Sequence, residues 1–252
     1  MSDRRDIVVP RPAATILVLR DDPFEVLMVR RHGNGMFASA LVFPGGLVDP
    51  GDRDERWTSL VSGAGGLEAE ERALRIAAYR ETFEESALLL ARDPSGRSVP
   101  CPGDGDMAFI DIVAASGGTL PLDDLVRFGH WITPEGAPKR FDTHFFLARA
   151  PEGQDAICDG GETVALEWVT PRDVLARAAD GDLSILFPTR MNLKRLAESE
   201  TVADALAAAR ARPLFTVMPK PERLPDGIVV RIPAEAGYGE TENFHPRPPS
   251  AD

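Results

Sequence analysis

The sequence predicts an α/β fold, in which short apolar strands, turns and helices follow one another. Two observations carry that reading. Short apolar runs bounded by Pro, Gly and Asp recur along the 252 residues, as half-buried and buried strands do. Between and after them lie longer stretches of helical patterning, so that strand, turn and helix alternate along the chain.

In order, Ala13 to Leu19 is apolar between Pro12 and Asp21-Asp22-Pro23 and reads as a buried strand, with Phe24 to Arg30 its hairpin partner. Residues 1–12 lie over the surface. Ala40 to Phe43 is a further strand feeding Pro44-Gly45-Gly46, where Pro sets φ and Gly lets backbone approach a ligand. A loop continues to Asp52. Residues 53–66 hold Trp57 and a Gly-Ala-Gly-Gly patch; they read as a mobile arm or cap beside a site, or equally as structural filler. A helix begins near Leu67, its Glu68, Glu70 and Glu71 a solvated first turn suited to the positive end of the dipole, and runs to about Leu90.

Residues 92–106 form a loop, 107–115 a short helix, and 120–126 another opened by Pro121 and Asp123-Asp124. Strands follow from Phe128, from Phe141 to Ala148, and from Gly160 to Val169. His130 and His144 read as packed or hydrogen-bonded strand residues. Pro171 and Asp173 open a helix to Ala179; others cover 191–198 and 201–211. Leu214 to Val217 and Ile228 to Ile232 are strand-like. The Pro-rich end beyond Tyr238 is read as disordered or as a clasp on a second subunit. The whole is taken as one domain, with a core over about 12–180 and an extension over 181–252.

Chemistry concentrates in Arg80-Glu81-Thr82-Phe83-Glu84-Glu85. At about 100° per residue, Glu81, Glu84 and Glu85 share one broad helix face, and Arg80 lies one turn before Glu84. Clustered carboxylates repel unless a cation sits among them, and hard divalent ions want such an oxygen-rich setting. By itself the cluster also reads as a solvated charged face.

Taken with Phe43-Pro44-Gly45-Gly46, the stretch resembles the Nudix box, Gly-x5-Glu-x7-Arg-Glu-U-x-Glu-Glu-x-Gly-U, with U aliphatic. Gly46 opens it, Asp52 stands at the first Glu, Arg80 and Glu81 match, and Glu84 and Glu85 match. Thr82 takes an aliphatic position, Ala87 replaces the last Gly (a change read as favouring helix), and Leu88 closes the motif. Residues 53–79 intervene where the family pattern has seven. A box split this way resembles the branch of coenzyme A diphosphatases, the peroxisomal enzyme and its bacterial relatives. That branch carries a signature with two Arg and a Gly ahead of the box. Arg30 meets the first Arg, while Gly35 and Ser39 fall at the second Arg and the Gly.

The resemblance implies a Nudix α/β/α sandwich, a mixed β-sheet between helices, with helical insertions. It implies Mg²⁺ or Mn²⁺ held by Glu81, Glu84, Glu85 and the Gly46 carbonyl, with Asp52 in support. Arg80 orients a box glutamate. Glu162, in a glycine turn, or a box glutamate accepts the proton of the attacking water. Arg30, Arg31 and Arg140, beside Lys139, are the expected contacts for substrate phosphates. The implied reaction is metal-dependent pyrophosphohydrolysis of a nucleoside diphosphate linked to a further moiety. Coenzyme A or acyl-coenzyme A is preferred; ADP-ribose, dinucleotides and nucleoside triphosphates are the alternatives. A non-catalytic nucleotide-sensing module of the same fold is the reading from another class. Homodimers are common in the family, and no seam for one shows in the sequence.

Composition agrees. A net charge of −12 argues against a protein that coats nucleic acid, and 43% apolar residues suffice for a core. Cys101 and Cys158 lie far apart with no zinc or disulfide spacing. The start lacks the apolar segment of a signal peptide, no run is long enough to span a membrane, and the end is not a peroxisomal address. The expectation is a cytoplasmic protein with a small-molecule nucleotide substrate and neither nucleic-acid nor membrane partners.

Overall fold

The computed structural model describes residues 8–31, 40–103, 107–158 and 163–247. In chain order the strands are β1 (Arg11–Arg20), β2 (Glu25–Arg31), β3 (Leu41–Val42), β4 (Gly45–Leu47) and β5 (Val61–Ser62). Helix α1 (Ala69–Ser86) follows, then α2 (Phe109–Ser116), β6 (Leu120–Pro121), β7 (Val126–Ile132), β8 (Phe141–Arg149) and β9 (Thr163–Val169). Next come α3 (Pro171–Ala179), α4 (Phe187–Leu196) and α5 (Val202–Ala211). The short strands β10 (Thr216–Val217), β11 (Lys220–Leu224), β12 (Gly227–Arg231) and β13 (Glu242–Pro246) complete the described chain.

The main sheet runs β10-β7-β8-β1-β2-β3, with β4 also paired to β1 and β9 to β2. It is mixed: β1 lies parallel to β8 and antiparallel to β2 and β4. Alternation along β1 divides the core. Ala14, Ile16 and Val18 face a cluster with Ile76, Ala77, Phe83 and α2, whereas Leu17 and Leu19 face one with Met191, Leu196 and Val202. Both faces are covered, so β1 reads as an unbroken apolar run rather than an alternating one. The expected α/β/α sandwich is therefore the observed architecture. Among the described residues no helix is long and apolar enough to cross a membrane.

Several local expectations are corrected. Helix α1 stops at Ser86, because Ala87 turns left-handed (φ 56°) and Leu88 to Leu90 bury themselves in the core. The presumed helix at 120–126 is instead β6, a 3-10 turn and the start of β7. Its carbonyls serve α1: Pro121 accepts from the Tyr79 hydroxyl at 2.6 Å, and Leu122 and Leu125 from Arg75 at 2.6 and 2.7 Å.

The 53–66 segment is anchored through Trp57, with Leu60, Val61 and Ala64 resting on the core and most other residues exposed. Trp57 is 2% exposed, packs its ring tilted at 5.7 Å from Phe109 and donates to the Gly51 carbonyl. Structural filler is thus the better description of it. Glu71 is not a free solvated charge; it is mostly covered and paired with both Arg75 and Arg127. The Pro-rich end supplies β13 to a three-stranded sheet with β11 and β12, so the stretch 242–246 is ordered chain.

Candidate active site

Strand β4 and helix α1 build the site, with the Pro50–Arg53 3-10 turn between them. Gly45 and Gly46 pair with Thr15 and Ala14 of β1. A Cβ on Gly46 would lie 2.4 Å from a Glu81 carboxylate oxygen, and one on Gly45 would lie 2.5 Å from the Ala14 carbonyl. Glycine at 45 lets this backbone lie against β1, and glycine at 46 leaves room for the Glu81 carboxylate. The Gly45 N–H donates to Glu85 Oε2 at 3.0 Å, which pins that buried carboxylate to the turn.

Arg80 is the organising cation. Its Nε and Nη2 grip Asp52 Oδ1 and Oδ2 at 2.8 and 2.9 Å, a bidentate pair. Nη1 donates to Glu81 Oε1 at 2.8 Å and to Glu84 Oε2 at 2.9 Å, and Nη2 donates to the Leu47 carbonyl. Asp52 is 1% exposed and takes a further bond from the Asp49 N–H at 2.8 Å. Burial of the guanidinium pulls its pKa down, but the Asp52, Glu81 and Glu84 carboxylates override this and raise it. The carboxyls respond in turn. Burial raises Glu81 and Glu84 above the ordinary range; Arg80 opposes this, and neighbouring acids, Asp49 among them, add to it.

Three carboxylates thus share one guanidinium, with Glu85 beside them. The donor set is all oxygen and short of positive charge, as a hard divalent cation requires. A hard divalent cation fits the chemistry of Glu81, Glu84, Glu85 and the Gly46 carbonyl on those grounds.

The sequence-predicted residues divide. Gly46, Arg80, Glu81, Glu84 and Glu85 come together, and Asp52 joins them as Arg80's principal partner. Asp49 and the Leu47 carbonyl were missed; nothing in their local pattern marks them. Arg30 pairs with Glu167 at 3.0 Å, and Arg177 holds the other oxygen of Glu167. Arg31 lies in β2, but its side chain, like Glu162, falls outside the described residues. Arg140 is corrected. It is 5% exposed and donates to the Thr133 and Val8 carbonyls at 3.0 and 2.8 Å, so it clamps backbone instead of facing a substrate.

A strand–Gly-Gly–helix sandwich carrying this Arg-centred carboxylate cluster defines a class of hydrolase. The fold superposes on the crystal structure of a NUDIX hydrolase from Alicyclobacillus acidocaldarius with a TM-score of 0.68 and 32% identity, covering 79% of this chain and 96% of that one. The chain belongs to the Nudix hydrolase family. It is also similar to the acyl-coenzyme A diphosphatase NUDT19 of Homo sapiens, 25% identical over 277 residues, 88% of this chain and 74% of that protein. Putative nudix hydrolase 7 of Caenorhabditis elegans is 30% identical over 200 residues, 75% of this chain and 61% of that protein. No family model matches the chain.

Proposed function

We propose that the protein is a metal-dependent pyrophosphohydrolase acting on the diphosphate linkage of a nucleoside diphosphate derivative, with coenzyme A or an acyl-coenzyme A as substrate. The observation that carries this reading is the Arg80 cluster, which holds Asp52, Glu81 and Glu84 against the Gly45-Gly46 backbone. The similarity to an enzyme named acyl-coenzyme A diphosphatase supports the choice of substrate.

Bound Mg²⁺ or Mn²⁺ would offset the charge of the diphosphate and acidify water at the site. The chain's own residues do the rest. Arg80 fixes the Glu81 and Glu84 carboxylates, which limits their rotamers before substrate arrives. Glu85 is held by the Gly45 N–H and cannot swing away. The proton of the attacking water goes to a box glutamate, with the Glu84 carboxyl raised by burial, or to Glu162. Water attacks one phosphorus and the second phosphate leaves.

The test is product analysis with coenzyme A, acetyl-coenzyme A, ADP-ribose and dinucleotides in Mg²⁺ or Mn²⁺, with Glu84→Gln and Glu85→Gln beside the wild type. Release of 3′,5′-ADP from coenzyme A, lost in both variants, is the expected result. Cleavage of another member alone overturns the substrate, and nucleotide binding without turnover on any member would make the protein a sensor.

A further inference from the structure

We propose that His130, Asp142 and His144 form a second cation site, for a borderline divalent transition ion such as zinc, separate from the carboxylate cluster on α1. Among the described residues these three are the His, Cys, Asp or Glu group whose ligand atoms all lie within 4.8 Å of one another.

The backbone presents them together. Asp142 and His144 are two apart on β8 and share a face. His130 sits directly opposite His144 on antiparallel β7. A β-bulge at 127–129 makes this possible. Arg127, opposite Phe146, already faces α1 and meets Glu71. Strict alternation from Arg127 would turn residue 130 to the other face; the extra residue re-aims it, as bulges beside functional sites do. A strand pair offering two ligands from one strand and one from its neighbour suits a three-ligand site.

The details are those of a ligand set. His130 Nε2 lies 2.5 Å from Asp142 Oδ1, and His144 Nε2 lies 3.6 Å from the same oxygen. The other nitrogen of His130, Nδ1, is 2.8 Å from the Thr216 hydroxyl on β10. Such an outer partner fixes the ring and the nitrogen that faces the ion. The two rings stack at 4.0 Å and 20°, so coordination turns His144 about its χ2. Its Nδ1 is buried without a hydrogen-bond partner among the described residues, and no hydrogen bond there resists the turn. Binding needs His130 Nε2 free of hydrogen, and Nδ1 can carry it toward the Thr216 hydroxyl.

Two nitrogens and one oxygen select a borderline ion, where the all-oxygen cluster on α1 selects a hard one. The sites are distinct in space. His144 pairs with Ala14 and Ala14 with Gly46, so two strand spacings, about 10 Å, separate the backbones.

Co²⁺ is the probe. The metal-free full chain is titrated with Co²⁺ and followed by visible absorption, with Zn²⁺ competition by calorimetry. The wild type and the Glu84→Gln/Glu85→Gln variant should both develop the Co²⁺ band, and Zn²⁺ should bleach it. His130→Asn should lose it, and Thr216→Val should weaken the affinity by about 10- to 100-fold. Thr216 is exposed, so its variant stays informative if His130→Asn misfolds. No band in the wild type, a band untouched by both the His130 and the Thr216 changes, or a band lost only in the glutamate variant would overturn the assignment. Each of those results leaves the Mg²⁺-dependent reaction standing, since that is read from a different site by product analysis.

Discussion

Replacing Arg80 with Met keeps the apolar stem and the helix propensity while removing five hydrogen bonds to Asp52, Glu81, Glu84 and Leu47. Asp52, at 1% exposure, would lose its only cationic partner among the described residues and keep the Asp49 N–H. Breaking a buried ion pair from one side costs about 3–5 kcal/mol. Glu84 is half exposed and can turn to water, so the lower end, about 3 kcal/mol, applies here. For a chain of this size that corresponds to a Tm lower by roughly 6–12 °C. Urea denaturation and thermal melts of the metal-free variant at pH 7 measure it. Adding Asp52→Asn removes the stranded charge, so the double variant should recover about 1–3 kcal/mol relative to the sum of the two single changes. An Arg80→Met variant within about 1 kcal/mol of wild type, or strictly additive single changes, would refute the view that Arg80 holds this cluster together.

Three further outcomes follow from the same geometry. Ala87→Gly should stabilise the protein by about 0.5–1 kcal/mol in urea, because relief of a left-handed residue exceeds the entropy glycine adds to the unfolded chain; a less stable variant would contradict it. Gly46→Ala should lower Mg²⁺-dependent turnover by about 100-fold with little change in melting, since its Cβ must displace the Glu81 carboxylate. His144 is held down to about 4 by burial and by His130. The unfolded chain therefore takes up a proton first, and stability is lost as pH falls from about 6.5 toward 4. With metal removed, His144→Gln should flatten that part of the stability–pH curve by about 2–3 kcal/mol, and parallel curves would count against it.

Much of the architecture was legible because its signals are local. An apolar run between turn residues marks β1 whatever packs on it, and the i, i+3, i+4 spacing of Glu81, Glu84 and Glu85 follows from the helical repeat. The box motif is legible because its spacing is local, and glycine at 45 answers the close approach of the β1 backbone. Short elements were less legible. Residues 120–126 have helical composition, yet Leu120 pairs with Val61, and neighbouring carbonyls are claimed by Tyr79 and Arg75. Ala87 prefers a helix in isolation, and burial of Leu88 to Leu90 overrides that preference.

The sequence by itself determined the long strands β1, β2 and β8, the helix that carries the box, the family, and the carboxylate face of α1, since each depends on residues close together in the chain. Tertiary structure alone decided which charges meet. Asp52 and Arg80 are joined only when β4 and α1 pack. Arg140 lies among backbone carbonyls that no local pattern announces. His130 reaches His144 only through a bulge that shifts the register of β7 against β8. Pairing across long separations is fixed by packing and register, and a one-residue shift in a strand reverses the face its side chains present.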